Sequence, residues 1–174
     1  MHLPSPLHFH RQLSPFGWLH PPQAQLSQGP NAQPGTRPRV AVLHQGHIHN
    51  HSALRIELQD RGYHFRTHSH GELLAHLIDA IHPGDAPQAL RRASALLQGP
   101  NAFVVQFHDQ PQRLLATRTG SAAALQLHPR RVELIVPAPM ASTDTHQPAG
   151  IHWLPEGDVL DLNAANEGGS SRTR

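Results

Sequence analysis

Four histidines recur as H-x-x-H-x-H-x-H at His44, His47, His49 and His51, and His68 and His70 follow further along the chain. Neutral imidazole is the commonest protein ligand of borderline divalent metals, so these six side chains, brought to one cavity, would make a nitrogen-rich site for Zn²⁺, Ni²⁺ or Cu²⁺. His47, His49, His51, His68 and His70 are the candidate ligands. A catalytic His₂-carboxylate site would also need Glu72, the only carboxylate within the cluster, to turn inward. The competing reading is compositional. The chain has 17 His, more than its 14 basic Arg residues, and no Lys, and His2, His8, His10, His108, His128 and His152 are scattered as a bias in usage would scatter them. There is no Cys, which excludes a disulfide framework, a zinc-thiolate or iron–sulfur centre and a cysteine nucleophile within these residues.

The elements that must position these residues are short. A chain of 174 residues suits one domain with ragged ends, and with 37% apolar residues, 17 Pro and 13 Gly its core must come from Leu, Ala, Val and Ile. Residues 1–38 carry eight Pro and five Gln and read as extended or disordered. From 39 to 163 the texture is that of a folded domain, and 164–174, with Gly168-Gly169-Ser170-Ser171, reads as a disordered tail. Val40 to Leu43 suits a buried strand ending in the loop-like Gln45-Gly46. Asn50 is placed to cap a helix whose period runs through Leu54 and Leu58 to Gly62, after which 63–67 reads as a strand. Leu73, Leu74, Leu77, Ile78 and Ile81 predict a helix over 72–81, and Ala89, Leu90, Ala93, Leu96 and Leu97 predict another over 87–98. Six short strand-like runs follow, at 102–107, 113–117, 122–127, 132–136, 151–154 and 159–162. The order is that of an α+β domain.

Charge excludes some partners. The net charge is only +2, the pI of about 10.4 reflects an all-Arg basic inventory, and no basic run exceeds two residues, so no nucleic-acid partner is expected. No apolar run approaches the roughly 20 residues of a membrane span and no signal-type apolar stretch opens the chain, so no membrane partner is expected and the default is a soluble, cytoplasmic protein.

Several blocks carry a family likeness. Val42-Leu43-His44-Gln45-Gly46-His47-Ile48-His49-Asn50-His51 matches V-V-H-N-G-I-I-x-N-H; Leu54-Arg55-Ile56-Glu57-Leu58-Gln59-Asp60-Arg61-Gly62-Tyr63-His64-Phe65 matches L-R-x-E-L-x-x-R-G-Y-x-F. Ser69 to Leu77 falls on T-D-T-E-x-I-A-H-L, Leu115 to Ala123 on L-A-A-R-x-G-S-P-L, Leu154 to Asp158 on L-x-E-G-D, and Asn31-Ala32-Gln33-Pro34 on N-A-H-P. In this unbroken order, over residues 31–163, the chain resembles the glutaminase domain of glucosamine–fructose-6-phosphate aminotransferase, a class II glutamine amidotransferase of the N-terminal-nucleophile hydrolase fold. The resemblance implies an α+β remnant of that four-layer αββα fold, without its first strands.

The departures bear on activity. The family nucleophile is an N-terminal Cys using its own α-amino group as base, and this chain has none. The family R-W-A-T-H-G motif survives at best as Gly17-Trp18-Leu19-His20-Pro21-Pro22, with Gly17 at the place of the glutamine-carboxylate Arg. The oxyanion-hole Asn falls on Gln45, one methylene longer, while Gly46 keeps its backbone N–H. The Asp that would hold the glutamine ammonium falls on His70. Trp18, Gln45, Gly46 and His70 thus mark a vestigial glutamine pocket, and no intact catalytic residue is expected. His44 and His76 match histidines of the family and read as packing or hydrogen-bonding groups. The sugar-isomerase half of the family enzyme has no counterpart in these residues. The reading is a degenerate glutamine amidotransferase domain; the alternatives are a histidine-dense metal-binding protein, needing Zn, Ni or Cu rather than no cofactor, and an interaction module. For the last, loss of the opening strands would leave a sheet edge to pair with a second copy, as a homodimer, or with a partner's strand.

Overall fold

The computed structural model describes residues 7–10, 25–33, 36–82, 84–111, 113–120, 123–128, 131–135, 151–154 and 156–161. Its strands are β1 (Leu7–His10), β2 (Gln25–Ser27), β3 (Val40–Gly46), β4 (Asn101–Phe107), β5 (Leu114–Thr119), β6 (Ala124–His128), β7 (Arg131–Ile135), β8 (Ile151–Trp153) and β9 (Leu160–Asp161). The helices α1 (His51–Asp60), α2 (His70–Ile81) and α3 (Ala86–Leu96) all lie between β3 and β4. Two antiparallel sheets result, one ordered β2-β3-β4-β5-β9 and the other β1-β7-β6-β8.

The pleat of the first sheet explains the layering. Val40, Val42, Phe103, Val105 and Phe107 join the helical side chains Leu54, Leu58, Leu73, Leu74, Leu77, Ile78, Ala89 and Leu90 in one core. The alternate residues Ala41, Leu43, Ala102 and Val104 are equally buried on the opposite face, and a strand buried on both faces needs a second layer over it. That layer is the second sheet, whose β7 comes against β4. Helices, first sheet and second sheet make three layers; an outer helical layer is not found among the described residues.

α2 is the central helix, buried at every residue from Gly71 to Asp79 and packed on β2 and β3 between α1 and α3. Burial of Leu73, Leu74 and Ile78 alone contributes about 1.5–3 kcal/mol each. Its start is a Ser-x-x-Glu cap in which Ser69 Oγ accepts from the Glu72 N–H at 3.1 Å. α1 ends as the sequence predicts: Gly62, at φ +87°, lets Tyr63 N–H reach back to Leu58 O.

Three expectations change. Asn50 stands at the N-cap position of α1, but its side chain makes no cap bond; its amide binds Leu96 O and Gln98 N–H at the end of α3 instead. Residues 63–67 are not a strand. The N–H groups of Arg66 and Thr67 donate to the Glu72 carboxylate at 2.8 and 2.7 Å, a use of the backbone that replaces a ladder. Within the stretch read as extended or disordered, Gln25–Ser27 is a strand on β3, with Ser27 fully buried. Trp18, Gly17 and the tail 164–174 lie outside the described residues.

Candidate functional site

The histidine loop is held by backbone. At Gly46, φ is +127° and a Cβ would lie 2.2 Å from Pro100 O; at Gly99 it would lie 2.5 Å from His47 O. Only glycine allows the two chains to approach this closely. His47 N–H and His49 N–H then donate to Pro100 O and Gln98 O at 3.0 and 2.8 Å. This clamp turns the loop after β3 toward the first turn of α2, where the buried Ile48 N–H donates to His70 Nδ1 at 3.0 Å.

The two histidine loops therefore do meet. The His70 ring centroid lies 4.5 Å from that of His47, 4.8 Å from His51 and 6.2 Å from His44, and His47 lies 5.5 Å from His49. His68 lies near enough to His51 to oppose its protonation. Burial, then the neighbouring positive charges, holds His70 and His51 below the ordinary imidazole value; for His51 the leading charge is Arg55, for His70 it is His51. Burial also lowers His44, against the pull of its 2.9 Å hydrogen bond with Asn101 Oδ1. Yet among the described residues no group of three or more His, Cys, Asp or Glu side chains is disposed to hold one metal ion. Glu72 does not turn inward. Its carboxylate is spent on Arg66 N–H, Thr67 N–H and the Thr67 hydroxyl.

The glutamine-pocket positions are only partly assembled. Gly46 and His70 stand on adjoining segments through the Ile48 bond, and Gln45, on the other face of β3 from His44, has a buried Oε1 with no hydrogen-bond partner. Trp18 lies outside the described residues.

A second polar cluster stands on the same helix around His76, which the sequence read as a packing or hydrogen-bonding group without its partners. His76 Nδ1 and Ser27 Oγ are 2.9 Å apart, and His76 Nε2 stands 3.9 Å from Glu72 Oε1. A serine, a histidine and a carboxylate in a row suggest a nucleophile relay. Three facts exclude it: Ser27 is fully buried, its hydroxyl already accepts from Gly29 N–H at 3.3 Å, and Glu72 is beyond hydrogen-bond range of the ring. Burial holds His76 below its usual value despite Glu72, so the pair is not an ion pair at neutral pH. One turn on, Asp79 accepts from Tyr63 Oη at 2.8 Å and pairs with Arg39 Nε at 3.1 Å; burial and that bond push the phenol up. The available signal for these partners was Glu72, His76 and Asp79 themselves, three polar residues on a helix otherwise apolar enough to be buried all round.

The family model described as "Glutamine amidotransferase domain" matches residues 24–127, more than half of the chain, and the chain belongs to that family. It is 37% identical over 135 residues to the glutamine–fructose-6-phosphate aminotransferase (isomerizing) of Bordetella pertussis, covering 78% of this chain and 22% of that protein. Against the Haemophilus ducreyi enzyme of the same name it is 33% identical over 154 residues, 83% of this chain and 24% of the relative. The chain thus spans under a quarter of the length of these relatives. Among solved structures, the glutamine phosphoribosylpyrophosphate amidotransferase from B. subtilis aligns with 60% of this chain and 23% of its own at 20% identity and a TM-score of 0.46, too distant to assign any residue a role. No helix of the described residues is long and apolar enough to cross a membrane.

Proposed function

We propose that this chain is a glutamine amidotransferase domain that does not hydrolyse glutamine. The observation that carries the reading is the surroundings of His70. A glutamine α-ammonium needs a carboxylate at the place where the resemblance puts His70. The imidazole there is surrounded by His44, His47 and His51, its Nδ1 is committed to Ile48 N–H, and the nearby Glu72 carboxylate is committed to residues 66 and 67. Among the described residues, a cation brought here meets histidines and no free negative charge. The absence of Cys removes the family nucleophile from these residues as well. Ammonia release from L-glutamine by the purified protein is expected to stay at the buffer blank; steady release that disappears in a Gly46→Pro variant would overturn the proposal.

One observation favours a second reading, a strand-pairing module. β2 pairs only with Val40, Ala41 and Val42, so among the described residues Leu43–Gly46 has no strand neighbour on that side. A second copy of this chain pairing there predicts a dimer by light scattering after size exclusion, and a monomer at all concentrations would remove this reading.

A further inference from the structure

The Ile48–His70 bond has a property that the other contacts of this loop lack. Its acceptor is an imidazole nitrogen, and a ring nitrogen accepts only while it is unprotonated. With Nδ1 facing a backbone N–H, His70 is held as the neutral ring with its hydrogen on Nε2. Adding a proton places a hydrogen on Nδ1, against the N–H it was receiving. Ile48 is 1% exposed, so its amide has no water to turn to, and an unpaired buried donor is costly.

We propose that His70 is an acid-released latch: neutral, it pins Ile48 in the loop between β3 and α1 to the first turn of α2, and protonated, it lets Ile48 go.

The groups facing His70 from each neighbouring element all push the same way once charged. β3 supplies His44, the loop supplies His47 and α1 supplies His51, while His49 stands beside His47, and Arg55 and His68 beside His51, one step further out. Arg66 turns its guanidinium to Gln28, and Glu72 turns its carboxylate to Arg66 N–H and Thr67, so among the described residues no carboxylate faces the imidazoles. β2 offers only the neutral Gln25, bonded to Ser69 Oγ. Positive charge on the rings around His70 adds repulsion to the lost bond and sharpens the release. The tight backbone of Gly46 and Gly99 concentrates the movement between these anchors and α2. The latch does not depend on whether glutamine is hydrolysed.

The test is residue-resolved NMR on the intact chain between pH 7.5 and 5.0. The ¹⁵N shift of His70 Nδ1 and the amide shift of Ile48 are expected to titrate with one midpoint below 6.5. Over the same range Ile48 amide exchange, corrected for its intrinsic pH dependence, should lose about tenfold or more of its protection. His70→Asn places an amide oxygen where Nδ1 was and remains an acceptor at every pH, so it should keep Ile48 protected throughout, while His49→Ala should follow the parent. His70 titrating with no response at Ile48, or His70→Asn opening with the parent's pH profile, would overturn the proposal. Should His70→Asn fail to fold, co-titration in the parent chain decides alone.

Discussion

α2 carries two histidines six positions apart, and it uses them in opposite ways. His76 lies in the core, bonded to Ser27 and beside Glu72, where its burial is compensated by a hydroxyl and a nearby carboxylate. His70 lies at the helix start among other imidazoles, with the Ile48 backbone N–H donating to its Nδ1. Both rings are held neutral mainly by burial. The difference is what happens on protonation: a charged His76 would find Glu72 and Asp79, whereas a charged His70 would find like charges and a donor. An identical side chain is thus a strut in one place and a trigger in the other, and only its neighbours decide which.

The largest break in this comparison comes from the backbone beneath the histidine end. Gly46→Val puts side-chain atoms into Pro100 and asks a β-branched residue to hold φ +127°. A loss of about 3 kcal/mol or more is expected in urea unfolding. On the strut side, Glu72→Gln removes the charged acceptor of three hydrogen bonds in the 66–67 segment and should cost about 2–3 kcal/mol by the same measurement. Ser27→Ala leaves a ring nitrogen of buried His76 without its partner, for about 1–2 kcal/mol.

Acid should separate the two ends by pH window. His44, His51, His70 and His76 all bind a proton less readily folded than unfolded, where the value is about 6.5. The unfolded chain therefore takes up more protons as pH falls below about 6.5, and stability falls with it; above that value these residues impose no slope. Glu72 adds a lower window. Burial works to raise its carboxyl, but the hydroxyl and two N–H groups bound to it prevail and hold it below the ordinary carboxyl value, so its contribution is present at neutral pH and is lost below about 4.5. Melts from pH 7.5 to 4 should show the first decline reduced in His70→Asn and the second reduced in Glu72→Gln. Smallest of all, His49→Ala, on an exposed side chain, should shift stability by less than about 0.5 kcal/mol.

Much of the helical layer was legible in the residues. The 3–4 spacing of Leu73, Leu74, Leu77, Ile78 and Ile81 marks α2, and Gly62 stops α1, because both follow from local backbone geometry. The strand runs after Pro100 also fall where hydrophobic patterning puts them, to within a few residues at their ends. The errors lie where a side chain replaced a neighbour's backbone partner. Glu72 drew the N–H groups of 66 and 67 out of a strand, and Asn50 was diverted from its own helix to α3. In the candidate site, the rings of His44, His47 and His51 lie within 6.2 Å of that of His70. The ligand geometry that the spacing invited was not completed, since spacing constrains which loops meet and not which nitrogen faces which.

By itself, the sequence determined the family frame, the helical periods, the missing cysteine and the concentration of imidazoles near one loop, since these depend on residue type and order alone. Tertiary structure decided that Glu72 serves the backbone, that Ser27 and His76 brace β2 against α2, and that His70 accepts from Ile48. Those outcomes turn on distances of about 3 Å between residues up to 49 positions apart, which only the packing of α2 on β2 and β3 brings about.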